Sequence, residues 1–193
     1  MKKVLIIGIT GTHASGKDTV SDYICKKYNI KSYSTSDEIR QENALRGLDN
    51  SRLNMFTVGN ELREKFGTGE LAKRVLRRAK ETMAVSSGIR NIGEIEYFKD
   101  HSYFYLIAVD APIEMRYERA MNRDRVGDGR TLEDFRAGEE KEMNAGIAGQ
   151  QLLPCMRVAD YFILNDATKE HLRERTDEVL SAITNRFNED VSK

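Results

Sequence analysis

The sequence predicts an α/β domain of three layers, with a five-stranded parallel sheet between two layers of helices. Three observations carry that prediction. Apolar runs of strand length alternate with segments whose apolar residues recur at helical spacing. The first run, Val4-Leu5-Ile6-Ile7-Gly8-Ile9, is apolar throughout, as a strand buried on both faces requires. The two prolines, Pro112 and Pro154, leave room for helices almost everywhere.

Each element follows in order. From Lys17 the pattern turns helical, with Val20 and Ile24 on one face and Tyr28 extending the row. Ile30 to Tyr33 reads as a short second strand. Helices are expected from Asp37 to about Arg46, from Asn54 to about Phe66 with Gly67 as the stop, and from about Gly69 to Glu81. Met83 to Ser87 is a third strand, followed by the turn Gly88-Ile89-Arg90-Asn91 and a helix from Ile92 to Lys99. Tyr103 to Val109 is the clearest strand after the first, and its aromatics read as core. Pro112 suits the first position of a helix that reaches about Arg123. Val126 to Arg130 is a loop. Thr131 and Asp134 form a capping box for a helix to about Met143, whose run Glu139-Glu140-Lys141-Glu142 reads as a solvated face. Tyr161 to Leu164 is the last strand, and His171 to about Phe187 the last helix.

A chain of 193 residues suits one domain spanning 1–193, and 39% hydrophobic content supplies a core. No apolar run approaches the ~20 residues of a membrane-spanning helix. Met1-Lys2-Lys3 resembles the start of a signal peptide. The apolar run behind it is short and lacks an A-x-A cleavage site, so a cytoplasmic protein is expected. Cys25 and Cys155 are too far apart, and too few, for a disulfide framework or a zinc site. Thirty-one basic and 31 acidic residues cancel, which gives no global attraction to nucleic acid or membrane. The balance hides a local excess, with six arginines from Arg116 to Arg136.

Between the first strand and the first helix lies Gly11-Thr12-His13-Ala14-Ser15-Gly16-Lys17-Asp18-Thr19, which contains G-x-x-x-x-G-K. Glycines let consecutive backbone N–H groups turn inward, the helix adds its positive end, and the lysine reaches the outer phosphates of a nucleotide. The motif expects Ser or Thr after the lysine as a Mg²⁺ ligand. Here Asp18 intervenes and the hydroxyl comes at Thr19, so a helix cap or a water-mediated metal contact is expected of Asp18.

This loop resembles that of the small P-loop kinases: nucleoside and deoxynucleoside monophosphate kinases of the adenylate kinase type, and dephospho-coenzyme A kinases. Further segments resemble those families in the same order. Tyr33 to Arg40 resembles their acceptor-binding segment, which implies that Arg40 grips the acceptor phosphate and that Asp37 touches the acceptor or caps its helix. Gly59 to Gly67 resembles a segment of archaeal kinase-like proteins and offers Arg63 as a third acceptor contact. Gly88-Ile89-Arg90 resembles the turn that supplies another acceptor arginine. Val109 to Pro112 leads into a helix with Arg116, Arg119, Arg123 and Arg125 that resembles the entry to a lid. Surface pairing with Glu118 is expected for Arg116, and catalytic charge neutralisation for Arg119, Arg123 and Arg125. Ala159 to Asn165 resembles the last strand of dephospho-coenzyme A kinases. Ser87 stands where the monophosphate kinases carry an acid that holds magnesium waters.

The resemblance implies a P-loop NTPase fold with a helical acceptor-binding insert at about 36–82 and a short lid at about 119–136. It implies an ATP-dependent kinase, using Mg²⁺, that phosphorylates a small phosphorylated acceptor, foremost a nucleoside monophosphate. Two alternatives stay open: a dephospho-coenzyme A or other small-metabolite kinase, and a nucleotide-binding switch with little transfer activity. The implied ATP site is Gly11 to Thr19, with Lys17 catalytic, and Asp18 and Thr19 are the metal candidates. Arginine suits all of this chemistry, because its planar fork pairs with phosphate and stays charged.

Overall fold

In the computed structural model, which describes residues 4–123, 131–143 and 146–192, β1 (Leu5–Gly11) is buried along its whole length. It forms the centre of a five-stranded parallel sheet in the order β2–β3–β1–β4–β5. β2 is Ser32–Ser34, β3 Met83–Ser87, β4 Tyr103–Asp110 and β5 Tyr161–Leu164.

Alternation along β1 feeds two cores. Leu5, Ile7 and Ile9 point to one face, where α1 (Lys17–Tyr28) and α9 (Lys169–Val191) cover them with Val20, Ile24, Leu172, Leu180 and Ile183. Ile6 points to the other face, with Ala84, Phe104 and Leu106. There α4 (Glu70–Arg78), α5 (Ile92–His101) and α8 (Leu152–Arg157) contribute Ala72, Val75, Ile95, Phe98 and Cys155. These two layers of helices enclose the sheet, as the alternating pattern predicts.

Two smaller clusters carry the outworks. Between β2 and β3, α2 (Thr35–Leu45), α3 (Arg52–Phe66) and α4 pack on Ile39, Val58, Leu62 and Leu71. Next to the loop after β1, α6 (Ile113–Met121) and α7 (Leu132–Met143) pack Ala120 and Phe135 on Ala14.

The structure departs from the sequence reading in several places, among them β2, which runs Ser32–Ser34 rather than Ile30 to Tyr33. The stretch after α7, read without an element, contains α8; Pro154 fits in its first turn, where a backbone N–H has no helical partner to lose. Pro112 caps α6 from outside rather than opening it, with Ile113 as the first helical residue. Tyr28 ends α1 at 38% exposure instead of extending its buried row. Glu139, read as a solvated charge, is buried against Arg116. The capping box is present: Asp134 N donates to Thr131 Oγ1 and Thr131 N to Asp134 Oδ2. Among the described residues, no helix is long and apolar enough to cross a membrane.

Candidate active site

The loop from Gly11 to Lys17 leaves β1 at the carboxyl edge of the sheet, between the ends of β3 and β4, where the strand order reverses. That crevice is the usual ligand position in an open α/β sheet. The loop backbone is strongly turned. Ala14 (φ 58°) and Gly16 (φ 99°) both lie in the left-handed region, unusual for the alanine. Gly11 has φ 147°, and a β-carbon there would lie 2.0 Å from the Val109 carbonyl oxygen.

Tertiary contacts hold this shape. Thr12 Oγ1 donates to Asp110 Oδ1 at 2.5 Å, and Asp110 also accepts from Ala111 N at 2.9 Å. Asp110 is therefore committed to bracing the loop. Lys17 Nζ donates to Thr12 O at 3.1 Å, curling its ammonium back over the loop. Asn165, at the end of β5, donates from Nδ2 to Ser15 O at 2.7 Å. The His13 ring rests 5.6 Å from that of Phe135. Asp18 lies in the first turn of α1 but makes no cap: the N-cap is Gly16, without a side-chain bond. A carboxylate there still favours the positive end of the helix.

A cleft of about 370 Å³ opens beside the loop. Its cations are Lys17, Arg40, Arg90 and Arg123. Acids reach it from α1 and α2 as Asp18, Asp22 and Asp37, and Ser32, Ser34, Ser36 and Ser87 supply hydroxyls. Arg40 is paired with Asp37 at 2.5 Å, both half exposed. Asp37 does not cap α2, because Ser34 does. Arg90 Nη1 donates to Gln150 Oε1 at 2.7 Å, and Arg90 N to Glu94 Oε2 at 2.9 Å.

Two of the expected arginines are placed elsewhere. Arg63 is buried and directs Nε and Nη2 onto Glu94 Oε1, at 3.1 and 2.9 Å. It joins α3 to α5 and is not part of the cleft lining, which corrects its expected role as an acceptor contact. Arg116 is also buried rather than paired on the surface. It donates from Nε to Ala111 O at 2.8 Å and forms a two-pronged ion pair with Glu139. Arg119 is not among the residues that line the cleft. Its Nη2 donates to Asn165 O at 3.1 Å, while Nη1 is buried without a partner. Burial and the neighbouring Arg123 pull its pKa below the usual guanidinium value. Arg125, like residues 124–130 of the expected lid, is outside the described residues.

The metal candidates differ in placement. Asp18 faces the cleft beside Lys17, whereas Thr19 does not line it. Among the described residues, no group of three metal-ligating side chains converges. One carboxylate suffices for a magnesium ion that keeps its waters and is held chiefly by nucleotide phosphates. The donor set therefore fits Mg²⁺ carried in with ATP.

Sequence reasoning missed Glu94, Asp22, Ser32 and the bracing by Asn165. Asp22 had a signal, since it follows Asp18 by four residues and so shares its helix face. Glu94 had none: its meaning depends on Arg63, which is remote in sequence.

Comparison with known proteins agrees with this architecture. A family model described as AAA domain matches residues 10–136. A UPF0200 protein of Sulfurisphaera tokodaii is 33% identical over 184 residues, covering 95% of this chain and 99% of that protein. One from Methanosarcina mazei is 33% identical over 181 residues, covering 91% and 94%. Among solved structures, shikimate kinase from Acinetobacter baumannii in complex with shikimate superposes with a TM-score of 0.58 at 16% identity, covering 96% of each chain. A gluconokinase from Sinorhizobium meliloti gives 0.57 at 12% identity, covering 100% of this chain and 98% of that one. The Mycobacterium tuberculosis APS kinase CysC in complex with AMPPNP and APS gives 0.56 at 17% identity, covering 94% and 98%. These structural likenesses establish the P-loop kinase fold. The relatives establish the family, and the chain belongs to the UPF0200 proteins, built on an AAA-type P-loop domain.

Proposed function

We propose that this protein is an ATP-dependent kinase that moves the γ-phosphoryl group of ATP to a small phosphorylated acceptor, with nucleoside monophosphates the first class to test. The observation that carries this reading is the convergence of Lys17, Arg40, Arg90 and Arg123 on one cleft beside the glycine-rich loop. Two phosphorylated substrates brought together there need several cations. Phosphoryl transfer asks little of a protein beyond positioning and charge stabilisation. Lys17 and the loop amides would bind the ATP phosphates, and Arg40 and Arg90 the acceptor. Asp18 would hold a water of the Mg²⁺ that accompanies ATP.

A second reading has its own support. The serine hydroxyls at Ser32, Ser34, Ser36 and Ser87 favour an acceptor held through its own hydroxyl groups, as a small-metabolite kinase would require.

A coupled ATP-consumption assay across the common nucleoside monophosphates, dephospho-coenzyme A, small hydroxy acids and no acceptor tests these readings. Turnover that depends on one acceptor is expected. Lys17→Ala should lower it by about two to three orders of magnitude, as loss of one transition-state donor does, with the fold unchanged by circular dichroism. ATP binding without turnover on any acceptor would replace the kinase by a nucleotide-binding switch.

A further inference from the structure

We propose that Asn165 is a positioning residue for the phosphate cradle: it aims the Gly16 N–H and steadies Arg119 beside the bound nucleotide. The proposal rests on the reading of the loop as an ATP site and assigns a role to a side chain outside the loop.

Three contacts meet at this residue. Asn165 is 7% exposed, and its Nδ2 donates to the Ser15 carbonyl at 2.7 Å. Its own N–H donates to Asp110 O at 2.7 Å, which fixes it to the end of β4. Its carbonyl accepts from Arg119 Nη2 at 3.1 Å. Asp110 also accepts from Thr12. One residue past β5 is thereby braced against both ends of the loop.

The consequence follows from peptide geometry. The Ser15 carbonyl and the Gly16 N–H belong to one planar trans unit and point in opposite directions. Holding the carbonyl on Asn165 fixes the N–H to face away from Asn165. Only the amide NH₂ of asparagine can donate to a carbonyl, so the isosteric carboxylate of aspartate cannot replace it. The fit is close: a β-carbon on Gly16 would lie 2.3 Å from Asn165 Nδ2. The Arg119 contact uses one arm of the fork and leaves the buried Nη1 without a partner. A buried guanidinium N–H without an acceptor is costly, and an anionic or carbonyl group of a nucleotide would satisfy it.

The test uses the full chain, with ATP and inorganic pyrophosphate as calorimetric probes and thermal unfolding measured in parallel. Asn165→Asp and Asn165→Ala should each weaken binding of both probes about tenfold, the cost of one lost buried hydrogen bond. N165A adds no charge next to Ser15 and decides the matter if N165D does not fold. A purely structural role would lower the melting temperature and leave both affinities of the folded protein unchanged, and that result overturns the proposal. Wild-type protein that binds neither probe would remove the ATP-site reading and this role with it. Wild-type binding with unaffected variants removes this role alone.

Discussion

Gly16 carries two constraints at once. Its φ of 99° disfavours any side chain, and the Asn165 amide occupies the space a β-carbon would need. Gly16→Ala must therefore shift the backbone or expel Asn165. The expected cost is about 1–3 kcal/mol of stability together with loss of ATP binding, read by denaturant unfolding and calorimetry. Residues of this kind are legible in a sequence, because the glycine spacing states a backbone requirement. The arginines are less so. Arg40, Arg63, Arg90 and Arg116 look alike in one dimension. Two of them line the cleft, and two are buried against Glu94 and Glu139. A letter gives the charge of a side chain, while its role depends on which carboxylate the fold brings to it.

Elements were legible to the extent that their pattern was long. β3 and β5 begin and end where their apolar runs do, and β1 and β4 extend past them only toward the loop edge. α8 was not legible, because six residues span too few turns to show a helical period. At this scale the buried Arg63–Glu94 pair is the bond between α3 and α5. Arg63→Ala should destabilise the protein by about 3–5 kcal/mol, because it leaves the Glu94 carboxylate buried and unpaired. Equilibrium unfolding in urea checks this, and a loss below 1 kcal/mol would show that the pair is not structural. Glu94 also accepts from Arg90 N, so the same variant should loosen the turn that presents Arg90 to the cleft.

Stability toward acid is a property of the whole molecule, and one group makes a definite prediction. Glu81 pairs with Lys31 at 3.0 Å and accepts from the Tyr33 hydroxyl at 2.9 Å, tying the β2 edge to the start of β3. The Lys31 ammonium is the main cause holding its carboxyl down at about 2, from a usual 4.5. Because the folded value is the lower one, this contribution is complete above pH 4.5 and is lost as pH falls toward 2. Glu81→Gln should flatten that part of the stability–pH curve, measured by chemical denaturation between pH 6 and pH 2; an unchanged slope would contradict it. The zero net charge acquires a meaning at this scale as well. It sums internal ion pairs such as Arg116–Glu139, a cleft lined by both cations and acids, and the balancing charges of the rest of the chain.

The strand order has a bearing on how the site is divided along the chain. β2 and β3 fill one side of β1, and β4 and β5 the other. The residues that carry Arg40, Ser87 and Arg90 thus form one uninterrupted stretch of chain. Arg119 and Asn165 follow in a second stretch, beyond β4. The brace on the glycine-rich loop therefore lies outside the stretch that carries Arg40 and Ser87, and the two stretches meet where Arg90 donates to Gln150. The central strand is in this sense a seam between the stretch that carries Arg40 and the stretch that braces the loop.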